Sequence, residues 1–488
     1  MDEPSDTPAH ARGAPKPGAL VAVLAFSGIV VSLMQTLVVP ILPRLPSLLG
    51  ASVSDTSWTV TATLLAAAVA TPVVGRLGDM YGKRRMLLLS LVSLAAGSTV
   101  AALSDHLAPM LAGRALQGLA AGVIPLGISI MRDELPRERL ASAIALMSAS
   151  MGVGGALGLP AAAFLADRTD WHALFWASAG AAVLALILVT AIVPESPVRS
   201  GGSFDVVGAV GLSAGLFSFL LAVTKGADWG WTSGRTLGLF AAAAVVLVLW
   251  GFWELRQKRP LVDLRTTVRR QVLVTNLASI VFGFAMLAMS LVLPQIIQLP
   301  EATGYGLGQS MLTVGLAMAP SGLVMMAMSP VSAKITNSRG PKTTLMVGAV
   351  VVACAYSLGI VMMGSLWQLV VVSATMGAGI GISYGAMPAL IMGATPVEET
   401  AAANSLNTLM RSIGTSLSSA VAGMILSHMT MDLGGVAVPS QDAFRTIMGI
   451  AALGAVAALV IAMFLPKRKA PAEAVRESGR VPASAGSR

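Results

Sequence analysis

Charge is scarce in this 488-residue chain: Asp, Glu, Lys and Arg make up 11% of it, while 55% is hydrophobic. An average soluble domain is about 25% charged. The deficit excludes a large soluble enzyme. Cysteine is nearly absent too. Cys354 stands alone, so no disulfide can close within the chain and no cysteine-based metal site can form. Its place inside an apolar run suits a small packing residue. The four histidines, His10, His106, His172 and His428, are far apart and lie in loops or near the ends of apolar runs. They make no case for catalysis or for a metal. No G-x-x-x-x-G-K-[ST] loop is present, so ATP-driven work is not expected. GVGGALG at 152–158 lies in an apolar run with no flanking strand, which argues against a nucleotide loop there.

What the chain does have is long apolar runs. A membrane-crossing helix needs about 20 mostly apolar residues. Such segments lie near 18–40, 57–74, 86–104, 107–130, 140–165, 171–193, 206–224 and 236–253. Six more lie near 272–298, 307–330, 343–363, 366–393, 401–427 and 445–465. The expectation is an all-α polytopic membrane protein with fourteen transmembrane helices. The first run is too long for a signal-peptide core and lacks a cleavage site, so it is read as a retained span.

Lys and Arg in short loops mark the cytoplasmic side. An even span count puts both termini on one side. With the termini inside, 25 of the 32 Lys and Arg fall in inner loops and tails, and five fall outside. The remaining two, Arg114 and Arg411, lie within spans. The net charge of +9 is then a consequence of topology and does not imply nucleic acid. The run KRK at 467–469 suits contact with anionic membrane lipid.

The stretch GRLGDMYGKRR at 75–85 has a weak copy in AKITNSRGPK at 333–342. Aligning Gly82 with Gly340 places Gly75 on Ala333, Leu77 on Ile335 and Asp79 on Asn337. Both stretches follow the second span of a six-span group. Spans 1–6 and 9–14 therefore look like parallel copies around an inserted pair, an arrangement found in transporters. The expected divisions are a tail at 1–17, a six-helix bundle at 18–194 and a linker with two extra spans at 195–270. A second six-helix bundle follows at 271–465, and a basic tail at 466–488. Gly75 and Gly82 are expected to allow the tight turn between spans 2 and 3. Asp79 can accept hydrogen bonds from a nearby helix start or pair with an arginine across the interface. A simple positive anchor is the alternative reading.

GRLGDMYGKRR closely resembles the loop 2–3 signature of the major facilitator superfamily, with Met80 where a basic residue is usual. LAGRALQGLAAGVIPL (111–126) resembles that superfamily's fourth-helix signature, with Arg114, Gln117 and Gly118 at the expected spacing. GVGGALGLPAAAF (152–164) resembles the fifth-helix antiporter signature. Its proline is one position late, at Pro160, and Ala162 and Ala163 replace a glycine pair. Close helix packing through Gly154 and Gly158 survives these changes. NSLNTLMRSIGTSL (404–417) resembles a span-13 pattern of the fourteen-span drug:proton antiporters. The resemblance implies a fold of two six-helix bundles plus two central helices. It also implies alternating access, in which Gly75, Gly82, Arg84, Gln117, Gly118, Gly154, Gly158 and Pro160 serve conformational change. Many relatives of that type carry a first-span aspartate. Here LMQTLVVPILP (33–43) has Met34 at that place.

A charge near the bilayer centre is expensive and marks function by default. The resemblance ties Arg114 to proton movement; capping carbonyls is the structural alternative. Arg411 either binds an anionic substrate group or braces the cavity wall. Every Asp and Glu falls in a loop, a tail or a span end. Asp55 is the best outer candidate for approaching Arg114, unless it simply caps span 2. Asp79 belongs with Arg114 and Asp55 in the coupling set. Gln35, Asn276, Gln295 and Asn407 are the polar residues expected to line a substrate cavity with Arg411; interhelical bonding is their other use. Gly377, Gly381 and Gly385 form a small-residue ladder for close contact or hinge motion.

These features lead to a proton-driven exporter of a drug or antibiotic-like small molecule, with no cofactor and no enzymatic activity. Arginines without a clear interior carboxylate favour a lipophilic, neutral or anionic substrate over a cationic one. The expected setting is a bacterial inner membrane, with both termini cytoplasmic and the chain working as a monomer. A proton-coupled symporter importing a metabolite is the alternative.

Overall fold

A computed structural model describes residues 17–466, apart from 39, 40, 43, 197, 202 and 259. The basic tails, including Arg12, Lys16 and the run at 467–469, lie outside the described residues. Fourteen long helices follow the expected segments. They are α1 (Pro17–Thr36), α2 (Trp58–Tyr81), α3 (Lys83–Ala102), α4 (Leu107–Glu134), α5 (Arg137–Arg168), α6 (His172–Ile192) and α7 (Val206–Trp229). Then come α8 (Gly234–Arg256), α9 (Arg270–Gln298), α10 (Met311–Arg339), α11 (Pro341–Val361), α12 (Leu366–Met392), α13 (Thr400–His428) and α14 (Gln441–Met463). Among the described residues, thirteen are long and apolar enough to cross a membrane; the 32-residue α5 stands at the place of the expected fifth span. Helices are the only open-chain solution in lipid, because each backbone donor must find its acceptor within the segment.

Local signals place several ends. Asp205, Ser233, Ser310 and Ser440 accept N–H bonds in the first turns of α7, α8, α10 and α14. Gly82 ends α2 at φ +116° and Gly340 ends the first helix of its pair at φ +87°, so the two copies of the short turn share a backbone conformation that favours glycine. Gly75 does otherwise than expected. It lies inside α2, where an added Cβ would strike Ser405 and the Ala401 carbonyl of α13. Its use is close helix approach, not the turn. The apolar pattern also missed an antiparallel hairpin, Thr430–Leu433 with Val436–Pro439, closed over Tyr305, whose hydroxyl bonds the Pro439 carbonyl.

α1 packs on α5 and α6, and α3 packs on α4 and α6; on the other side α11 packs on α12 and α14, and α9 on α13 and α14. Each set has its own apolar core. The two sets meet where α2 lies on α13 and α5 lies on α10 and α12. Small residues set the contact of α12 with α10 inside the second set, and one of them also touches α5. Gly377 lies against the Ser321 carbonyl, Gly381 against that of Met325, and Gly385 against Ser332 and Ala145, so the ladder makes close contacts along α10. The inserted α7 packs on both α2 and α13 through a third cluster around Leu212, Leu216 and Leu409. α8 touches little but α7, and only Thr236, Ala243 and Glu254 on it are buried.

Candidate functional site

The α2–α3 turn is one half of a clasp. Asp79 is fully buried and accepts from the backbone N–H groups of Ala401 (3.1 Å) and Ala402 (2.8 Å) in the first turn of α13. Those N–H groups have no partner within their own helix, and the positive end of the helix dipole favours a carboxylate there. Lys83 is buried as well, 3.9 Å from Asp79 and 2.5 Å from Asp133 at the end of α4. Ser196 donates to the same Asp133 oxygen. The Ser200 N–H donates to the Asp79 carbonyl at 2.7 Å, and Arg76 reaches the Ser200 hydroxyl at 3.5 Å. Arg132 spans to Thr400 and to the Thr395 carbonyl. Two elements on opposite sides of the α2–α13 seam are thus tied by charge-assisted bonds at one end of the helix array. Arg84, by contrast, donates to the Thr190 carbonyl and takes no part in the clasp among the described residues. The roles of Lys83 and Asp133 were missed at the sequence level. The signal was there: RDE at 132–134 places a charge cluster at a span end, next to the inner turn.

Arg114 lies in the first group, 1% exposed. Its guanidinium donates to the carbonyls of Thr59 (3.0 Å) and Met34 (3.2 Å) and to Gln117 Oε1 (2.7 Å). Gln117 in turn donates to Ser98 (2.9 Å) and to the Met34 sulfur. Gly118, next in the helix, has no room for a Cβ against the Thr63 carbonyl. Arg114 thus bonds α1, α2 and its own α4, with α3 joined through Gln117, and every acceptor is neutral. Asp55 is exposed and accepts from Ser52 (2.7 Å) in its own short turn, Val53–Thr56. It bonds neither Arg114 nor the start of α2. The Met34 carbonyl meets Arg114, while its sulfur accepts from Gln117 and Ser98.

A second polar cluster lies on α9, α12 and α13. Asn407 donates to Asn276 (2.9 Å) and Ser279 (2.7 Å). Arg411, one turn further along α13, stacks over Tyr384 at 4.8 Å. Among the described residues, the Asn276 amide nitrogen, the Arg411 Nη2 and the Asn404 side-chain oxygen are buried without hydrogen-bond partners. Close approach of α9 and α13 holds this cluster: an added Cβ at Gly283 would strike the Arg411 carbonyl, and one at Gly414 that of Ile280. Gln35 and Gln295 are not brought into it; Gln35 is exposed and Gln295 half-buried. Gly154 and Gly158 lie against Ile29, Ser32, Leu33 and Thr36 of α1, and Pro160 against Gly315 of α10.

Two packed helix groups, a buried clasp between them at one end, and arginines within the spans define a polytopic membrane transporter. The sequence profile of the Major Facilitator Superfamily matches residues 24–419, with an overlapping match at 278–487, and the chain belongs to that family. It is 29% identical over 431 residues to a probable actinorhodin transporter of Streptomyces coelicolor, covering 85% of this chain and 73% of that one. It is 28% identical over 450 residues to the tetracenomycin C resistance and export protein of Streptomyces glaucescens, covering 88% and 80%. The solved structure of the proton:xylose symporter XylE superposes with a TM-score of 0.65 at 15% identity, covering 93% of this chain and 96% of that one; it speaks for the fold alone. The chain is a transporter, not an enzyme.

Proposed function

We propose that the chain exports a drug or antibiotic-like small molecule across a bacterial inner membrane in exchange for protons. The observation that carries alternating access is the clasp of Asp79 on the start of α13. It joins residues 18–194 to residues 271–465 through separable hydrogen bonds at one end. The basic loops at that end support a cytoplasmic location for it and for both termini. In this reading the structure is closed inward, and the two bundles rock about the α2–α13 and α5–α10 seams, the chain acting as a monomer. The 28–29% identical relatives named for antibiotic transport and export support the direction.

Substrate chemistry follows from the second cluster. Unpartnered buried donors on Asn276 and Arg411, beside the Tyr384 ring, suit an acceptor-rich or anionic aromatic molecule. Arg114, ringed by neutral acceptors, is the coupling element of the first group. Proton arrival on a neighbouring group, or substrate-driven motion of α1, redistributes its three bonds among α1, α2 and α4.

The test is everted vesicles carrying this protein, energised, with a lumenal pH dye, as candidate compounds are added. The expected result is compound-dependent proton efflux, lost in Arg114→Ala. Proton movement in the opposite sense would establish the symporter and remove the exporter.

A further inference from the structure

The inserted hairpin carries a carboxylate that the transport cycle above does not use. Glu254 sits in the last turn of α8, a helix otherwise almost wholly exposed, and is itself 2% exposed. Among the described residues, neither of its oxygens has a hydrogen-bond partner. The Trp250 indole and the backbone N–H groups of Leu261 and Val262 lie around it without closing a bond in good geometry. A second carboxylate is adjacent. A Cβ built on Gly208 of α7 would lie 2.6 Å from both Glu254 Oε1 and Asp205 Oδ2. Asp205 is satisfied: it accepts from the Gly208 N–H at 2.8 Å and from the Trp253 indole at 3.0 Å. Glu254 is the one left over.

Glu254 lines a cavity of about 540 Å³ that runs from the hairpin to the clasp. α2 contributes Arg76 to the cavity, and the segment before α7 contributes Arg199. The chain after α8 contributes Lys258, Asp263 and Arg265, and the approach to α13 contributes Glu398 and Glu399. None of the basic groups forms an ion pair with Glu254. Arg265 donates to the Leu255 carbonyl, and Asp263 accepts from Arg265 N–H and Thr266. Arg76 reaches the hydroxyl of Ser200, whose N–H grips the Asp79 carbonyl, at 3.5 Å, and it also lies near the carboxylates of Asp79 and Glu399.

A buried, unpaired charge is strongly unfavourable, so this arrangement persists when Glu254 carries a cation, the smallest being a proton. We propose that Glu254, beside Asp205, is a proton-binding site of the inserted hairpin that holds the inner clasp shut. With the proton bound, Glu254 is neutral and Arg76 stays on Ser200. When the proton leaves to the cytoplasm, the carboxylate draws Arg76 across the cavity, Ser200 is released, and Asp79 loses a support. The proton sits on Glu254 in the closed state, where the group is buried and unpaired, so by linkage protonation of Glu254 favours closure. This rests on the exporter reading for its use. Antiport brings protons into the cell, and a clasp that stays shut in an acid cytoplasm limits that entry.

The test uses full-length protein in lipid nanodiscs with Cys354→Ser and spin labels at Tyr81→Cys and Ser338→Cys. The distance between them is followed from about pH 5 to about pH 8, a range that spans a buried carboxyl's titration. We expect the open fraction to rise at least about tenfold in this background and less than about twofold in Glu254→Gln. Asp79→Asn serves as the control that opens the mouth at every pH. Asp205→Asn should weaken the response without abolishing it. An unchanged titration in Glu254→Gln, or no pH response in the parent, overturns the proposal. A Glu254-dependent response in a protein that fails the vesicle assay supports the site and rejects the exporter.

Discussion

Replacing Asp79 with asparagine changes little in shape but removes the charge that holds α13. Asp79 accepts two backbone N–H groups, from Ala401 and Ala402. A hydrogen bond to a charged group contributes about 1.5–3 kcal/mol. Asparagine keeps one acceptor, so one N–H retains a partner and the other meets an amide NH2. The helix dipole adds up to about 2 kcal/mol for a partly buried anion at its N-terminus. These terms overlap, and neutralisation also relieves the desolvation of a buried carboxylate. The net loss for the closed state is about 2–3 kcal/mol, or about 30- to 150-fold in the closed-to-open ratio. Lys83 keeps Asp133 at 2.5 Å, so the variant should still fold. Labelling of a cysteine at Ser405, which faces Gly75 across the seam, reads the opening directly in a Cys354→Ser background. A labelling rate that rises less than about threefold would refute the assignment of the clasp to these two bonds.

Gly414→Ala should weaken the α9–α13 contact, because its Cβ would strike the Ile280 carbonyl and backbone cannot move aside cheaply. Overpacking of this kind costs about 1–3 kcal/mol, readable as a fall in melting temperature in detergent, while Gly423→Ala, which meets nothing, should be neutral. Arg411→Gln should reduce affinity for anionic compounds at least about tenfold and for neutral ones much less, since it removes an unpartnered charged donor. Equal loss for both classes in a binding assay would assign Arg411 a bracing role instead.

Much of this architecture was legible in the sequence. Helices in lipid must satisfy their own backbone groups, so apolar length alone located α1 to α14. Glycine at a positive φ located the turns at Gly82 and Gly340. Spacing within GRLGDMYGKRR and LAGRALQG singles out Asp79, Arg114 and Gln117. Interior contacts between distant segments were not legible. Nothing in the order of residues shows that Gly75 meets α13, that Lys83 chooses Asp133, or that Asp55 turns back on Ser52 and leaves Arg114 to carbonyls. Glu254 looked like the end of a span and proved to be a buried carboxylate facing a cavity. The division has one physical cause. Local backbone satisfaction and solvent preference are properties of a short stretch of chain, and the sequence by itself determined them. Which polar group finds which partner depends on where helices hundreds of residues apart come to rest, and only tertiary packing decided that.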